Sequence, residues 1–140
     1  MRRRTLVILC HWGLVLLLLA IIKGGAAAPG ARWAFVGIGV LWLAGALVNG
    51  VLARPGPKLT GLFRRSFVAL HVGLYLLIAV SVGLNLAGLW GLVPLGWAWN
   101  SLLVLLTAGI FHGIFHLWRH TALNDGALRM IFPRAWHKHL

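Results

Sequence analysis

Four runs of mostly apolar residues constrain this chain more than any other feature. They cover 5–22, 33–53, 66–88 and 99–118 of its 140 residues. Each is close to the roughly 20 residues that an α-helix needs to cross a bilayer at about 1.5 Å per residue. Only 10% of the residues are charged, whereas a soluble domain is about a quarter charged. The segments between the runs hold the Pro and Gly breakers of turns: Pro29-Gly30, Pro55-Gly56-Pro57 and Pro94. The expected fold class is an all-α membrane protein, a four-transmembrane-helix bundle forming one domain over 1–140, with the lipid bilayer as its first partner.

Charge distribution supplies the orientation. Thirteen Lys and Arg stand against one acid, Asp125, for a net charge of +12. Such a balance can mark a nucleic-acid binder, but here the basic residues flank apolar runs, so no nucleic-acid partner is expected. Eleven lie on one side, in the N-terminus (Arg2, Arg3, Arg4), the second connection (Arg54, Lys58, Arg64, Arg65) and the tail (Arg119, Arg129, Arg134, Lys138). Only Lys23 and Arg32 fall on the other. Positive-inside bias then places both termini in the cytoplasm, N-in and C-in. The start resembles a secretory signal ending at Ala26-Ala27-Ala28, but its apolar run of 18 residues exceeds the usual 7–15, so it is read as a retained helix. The uncharged third connection should lie at the membrane surface, anchored by Trp90, Trp97 and Trp99. The tail, 119–140, mixes Arg with Met130, Ile131, Phe132 and Trp136 and reads as an amphipathic segment along the cytoplasmic interface.

One acid and one cysteine also exclude chemistry. Paired-carboxylate hydrolysis and Asp-dependent triads need groups that the spans lack. Cys10 has no internal disulfide partner, and no C-x-x-C-H run is present for covalent haem. Four spans without acids offer a small transporter little for cation coupling.

Histidine is what remains. His11, His71 and His112 lie five or six residues from the cytoplasmic ends of their spans, roughly 8–9 Å deep. His116 and His120 continue the His112 face at i+4 and i+8. A lone buried His usually serves as a hydrogen-bonding residue between helices. Three at one depth on three helices point to a ligand set, because four-helix bundles build cofactor sites from facing helices. Zinc generally takes four ligands, often thiolate or carboxylate. Cys10 points about 100° away from His11 and no span holds a carboxylate, so haem is favoured over zinc. Gly109 and Gly113 around His112, with Gly13 and Gly73 just past His11 and His71, would let a flat macrocycle approach the backbone. Arg2–Arg4, Arg64, Arg65, Arg119 and His120 could meet its propionates.

Three patches, in order along the whole chain, carry a family resemblance: Cys10-His11-Trp12, Leu70-His71-Val72-Gly73-Leu74-Tyr75-Leu76-Leu77, and His112 followed by Asp125-Gly126-Ala127-Leu128-Arg129-Met130-Ile131-Phe132-Pro133. The chain resembles the bacterial cytochrome b-561 proteins, four-helix b-type cytochromes related to the cytochrome b subunit of nickel-iron hydrogenases. The resemblance implies non-covalent haem b, ligated on the cytoplasmic side by His11 and His112, with His116 as the alternative to His112. It also implies an outer haem held by a His near the start of the second helix and another near the start of the fourth. Neither exists here: 33–53 contains no His, and the fourth-helix position, fourteen residues before His112, is Ala98.

The expectation is therefore a b-type cytochrome with one haem in the cytoplasmic half, exchanging electrons with quinone or a partner redox subunit, rather than a stand-alone catalyst. His71 would contact quinone or a propionate. The competing expectation is a degenerate relative that acts as a structural or accessory subunit without redox activity.

Overall fold

The computed structural model describes residues 3–25, 29–51 and 54–139, the last without its side chain. Arg2, Ala26–Ala28 and Ala53 of the sequence reading lie outside these. Four helices follow one another: α1 (Arg3–Gly24), α2 (Pro29–Asn49), α3 (Gly61–Leu89) and α4 (Leu95–Ala122). Each is long and apolar enough to cross a membrane. The all-α four-helix architecture of a multi-pass membrane protein is thus what the chain adopts.

The helix ends depart from those of the apolar runs, α2 stopping short of its run at Asn49 and the others extending beyond theirs, because local chemistry sets them. Pro29 opens α2 instead of breaking before it; its missing N–H costs nothing in a first turn. At the other end α2 stops at Asn49, where Gly50 takes φ +70°, the left-handed conformation that closes helices. Arg3 Nη2 donates to Asn49 O and Gly50 O at 2.7 Å each, covering the last carbonyls of α2 from the start of α1. Arg64 and Arg65, expected in the connection, belong to the first turns of α3, and Pro94 caps α4. Trp90 and Trp97 are exposed as membrane anchors would be, whereas Trp99 turns inward against the core.

Consecutive helices are antiparallel and pack α1 on α2, α2 on α3 and α3 on α4; the closing contact, α1 with α4, is sparse. The apolar core of Leu14, Leu18, Ile21, Phe35, Val36, Val82, Leu102 and Leu105 lies entirely in the half remote from the termini. There, close approach depends on a glycine: Val82 of α3 fills the space where a side chain on Gly39 of α2 would stand. Large apolar residues face outward along every helix, among them Leu16, Val48, Leu76 and Phe111, a surface suited to lipid rather than water.

The tail begins within α4, which runs to Ala122. It folds into 3₁₀ turns at Ala127–Met130 and Arg134–His139 that strap back onto α1. Arg4 Nη2 donates to Arg129 O (2.7 Å) and Phe132 O (3.3 Å), and Trp12 Nε1 donates to Ile131 O (3.2 Å). The Phe132 ring lies 5.2 Å from Trp12. Both termini therefore meet at one end of the bundle.

Candidate metal centre

The half that carries the termini has clustered imidazoles where the other half has the apolar core. His71 of α3 faces His112 and His116 of α4, which are one turn apart and therefore on one face. The His112 and His116 rings are 4.5 Å apart, and His71 lies 4.9 Å from His112 and 5.3 Å from His116. One donor atom from each of the three lies within 4.8 Å of the other two, a group that could hold a metal ion.

The protonation of His71 follows from its partner. Its Nδ1 sits 2.7 Å from Phe67 O, and a carbonyl can only accept, so Nδ1 carries the hydrogen. Nε2 of a neutral His71 is then a bare lone pair. It points at Nε2 of His116, 3.4 Å away. This N–H to backbone carbonyl contact is the one that metal-bound histidines commonly make to fix tautomer and ring orientation. Phe67 lies 4.0 Å from His71 and Phe115 6.0 Å from His116, forming an apolar wall.

His11 is not part of this group. It belongs to α1, on the other side of the loosely packed α1–α4 seam, with its ring 5.5 Å from Trp12 and 6.0 Å from Trp42. His11 Nδ1, His112 Nδ1 and His120 Nδ1 are all buried without a hydrogen-bond partner among the described residues. An unanswered buried polar group costs about 1–3 kcal/mol. All three lie in the terminal half.

Other sequence expectations fare differently. Gly109 and Gly113 are exposed with open space around them, and Gly13 packs against Ile38 of α2. Arg3 and Arg4 are spent on backbone carbonyls. Arg119, buried beside Phe67 at 5.0 Å, is held by Asp125 at 2.6 Å. Asp125 is the turn residue expected of it, accepting from Ala127 N at 2.9 Å, and is also the counter-ion of that arginine.

Arg32 of α2 is a buried cation in the half remote from the termini. It is only 5% exposed, and its Nε donates to Asn85 Oδ1 (3.0 Å) and its Nη2 to Asn85 O (3.3 Å). Nη2 would stand 2.8 Å from a Cβ on Gly88, with the Cβ of Ala98 3.6 Å from the same point. Asn85 in turn donates to Ser81 O, and Ser81 Oγ to Ser101 O. The visible signal was a lone Asn in the third span with a Ser four residues before it.

Comparison of the chain with protein-family models, with curated proteins and with solved structures gave no match.

Proposed function

We propose that the chain is a b-type membrane cytochrome holding one haem between His11 of α1 and His112 of α4, and exchanging electrons with quinone or a partner redox subunit at the cytoplasmic face of a bacterial inner membrane. One observation carries the reading. Of the helices adjacent in the bundle, α1 and α4 pack least, and each presents a half-buried imidazole whose Nδ1 is buried and unanswered among the described residues. A group seated in that seam would answer both. When bound, haem would supply one-electron chemistry, and two histidine ligands favour outer-sphere transfer over oxygen binding.

The chain's own contributions are ligation, orientation and exclusion of water. His11 is flanked by Trp12 and Trp42, and the tail crosses the end of the seam through Phe132 and Ile131. The apolar surroundings and the absence of span carboxylates leave imidazole as the strong ligand. A second reading, an accessory subunit without redox activity, draws support from the far half. Where the resemblance would put an outer haem, Ala98 lies near Arg32, which is bound to Asn85, and neither offers an imidazole to a second cofactor.

The absorption spectrum of the purified chain, before and after dithionite, decides between them. Sharp reduced b-type bands at about one haem per chain are expected. His11→Ala and His112→Ala should each abolish them, while His137→Ala and His139→Ala should not. A colourless protein after haem supplementation, or full haem in both ligand variants, would overturn the cytochrome reading.

A further inference from the structure

We infer that His71, His112 and His116 form an open three-histidine centre for a zinc-class divalent ion, filled in the chain without haem and competing with haem for His112. The ion site stands without the cytochrome reading, because the three histidines converge whatever His11 does; only the competition for His112 rests on that reading.

Geometry comes first. Zinc–nitrogen bonds of about 2.0–2.1 Å place tetrahedral ligands about 3.3 Å apart. The His71 and His116 Nε2 atoms are already at 3.4 Å. All three donors lie within 4.8 Å, so rotation of the His112 ring has only about 1.5 Å to close against that ligand spacing. His112 and His116 stand at i and i+4 on one helix, a spacing at which two side chains share a face. His71 arrives from the neighbouring helix with its tautomer set by Phe67 O. At 3.4 Å, two facing imidazole nitrogens need either one hydrogen between them or a cation.

Chemistry selects the class of ion. Three neutral imidazoles with no oxygen ligand suit zinc, copper or nickel better than magnesium or calcium. Asp125 is committed to Arg119 and leaves the fourth position to solvent. A dication beside Phe67 and Phe115 favours an anionic fourth ligand there, hydroxide or chloride. Three protein ligands and one open position is also the arrangement of catalytic rather than structural zinc sites.

The test uses the untagged full chain, expressed without haem supply and purified in detergent, with Co2+ as the optical probe and Zn2+ as competitor. One equivalent of Co2+ should give the visible bands of a tetrahedral site, and Zn2+ should erase them. His71→Ala, His116→Ala and the shape-conserving His71→Gln should each weaken binding by about tenfold or more, since even outer partners of metal ligands are worth 10–100-fold. His11→Ala should leave the ion site intact while removing haem. His112→Ala should lose both, and zinc-loaded chain should take up haem more slowly than metal-free chain. No stoichiometric Co2+ signal, or full binding in His71→Gln and His116→Ala with helical content unchanged, would overturn the inference. Loss of haem in His11→Ala with the cobalt bands kept would separate the two sites outright.

Discussion

The two most buried cations are neutralised in different ways, and the difference predicts which substitution is tolerated. Arg119 and Asp125 form an ion pair whose side chains are 4% and 1% exposed. Removing one member of such a pair strands the other charge, at about 3–5 kcal/mol. Asp125→Asn should therefore lower the thermal midpoint in detergent sharply, and the double variant Arg119→Met/Asp125→Leu should recover much of the loss. If Asp125→Asn melts with the wild type, the pair is not holding α4 to the tail. Arg32 has no acid at all. It relies on the Asn85 side chain, the Asn85 carbonyl and the negative end of the α3 dipole, which ends at Leu89. Sequence counting saw Arg32 only as a charge on the less basic side, because hydropathy does not show which way a side chain turns. Asp125, by contrast, was legible as a turn residue from the Asn-Asp-Gly run in which it sits. Its pairing with Arg119, two residues beyond the i+4 spacing that a helix would bring together, was not.

Element boundaries and element partners were legible to different degrees. Four helices follow from hydropathy because a spanning backbone must satisfy its own hydrogen bonds, which permits little else. Their ends did not follow, since Pro29 and Gly50 act as a helix start and a helix stop, which no apolar count records. Depth placed His71 and His112 level with one another, and the i+4 spacing put His116 beside them. Which neighbour each imidazole faces depends on rotation about the helix axis, and helices apolar all round carry little information about that. The same holds for the tail, whose anchors join positions more than a hundred residues apart through backbone oxygens that have no sequence signature. Those anchors are open to test. Arg4→Ala removes a charge-assisted hydrogen bond worth about 1.5–3 kcal/mol, so amide exchange over 127–136 should accelerate by about tenfold to a hundredfold, with α2 and α3 unchanged. Unaltered exchange in Arg4→Ala combined with Trp12→Phe would mean that the strap is held by something other than these donors.

At the scale of the whole molecule the two halves are built for different ends. The half remote from the termini is closed by interlocked apolar side chains and the Arg32–Asn85–Ser81 clasp. The terminal half keeps unanswered imidazole nitrogens, the three-histidine group and a loose seam under the tail. Any redox or metal chemistry is then served from one face, and the side of the membrane that face occupies fixes the partners available to it. Ten of the twelve described basic residues lie at that end, so positive-inside bias predicts that it is cytoplasmic. A reporter active only outside the cytoplasm should be silent when fused after residue 140 and active when inserted beside Leu92, in the connection between α3 and α4. The reverse pattern would turn the centre toward the outside. A cytoplasmic electron partner would then be out of reach, because the closed half would stand between it and the histidines.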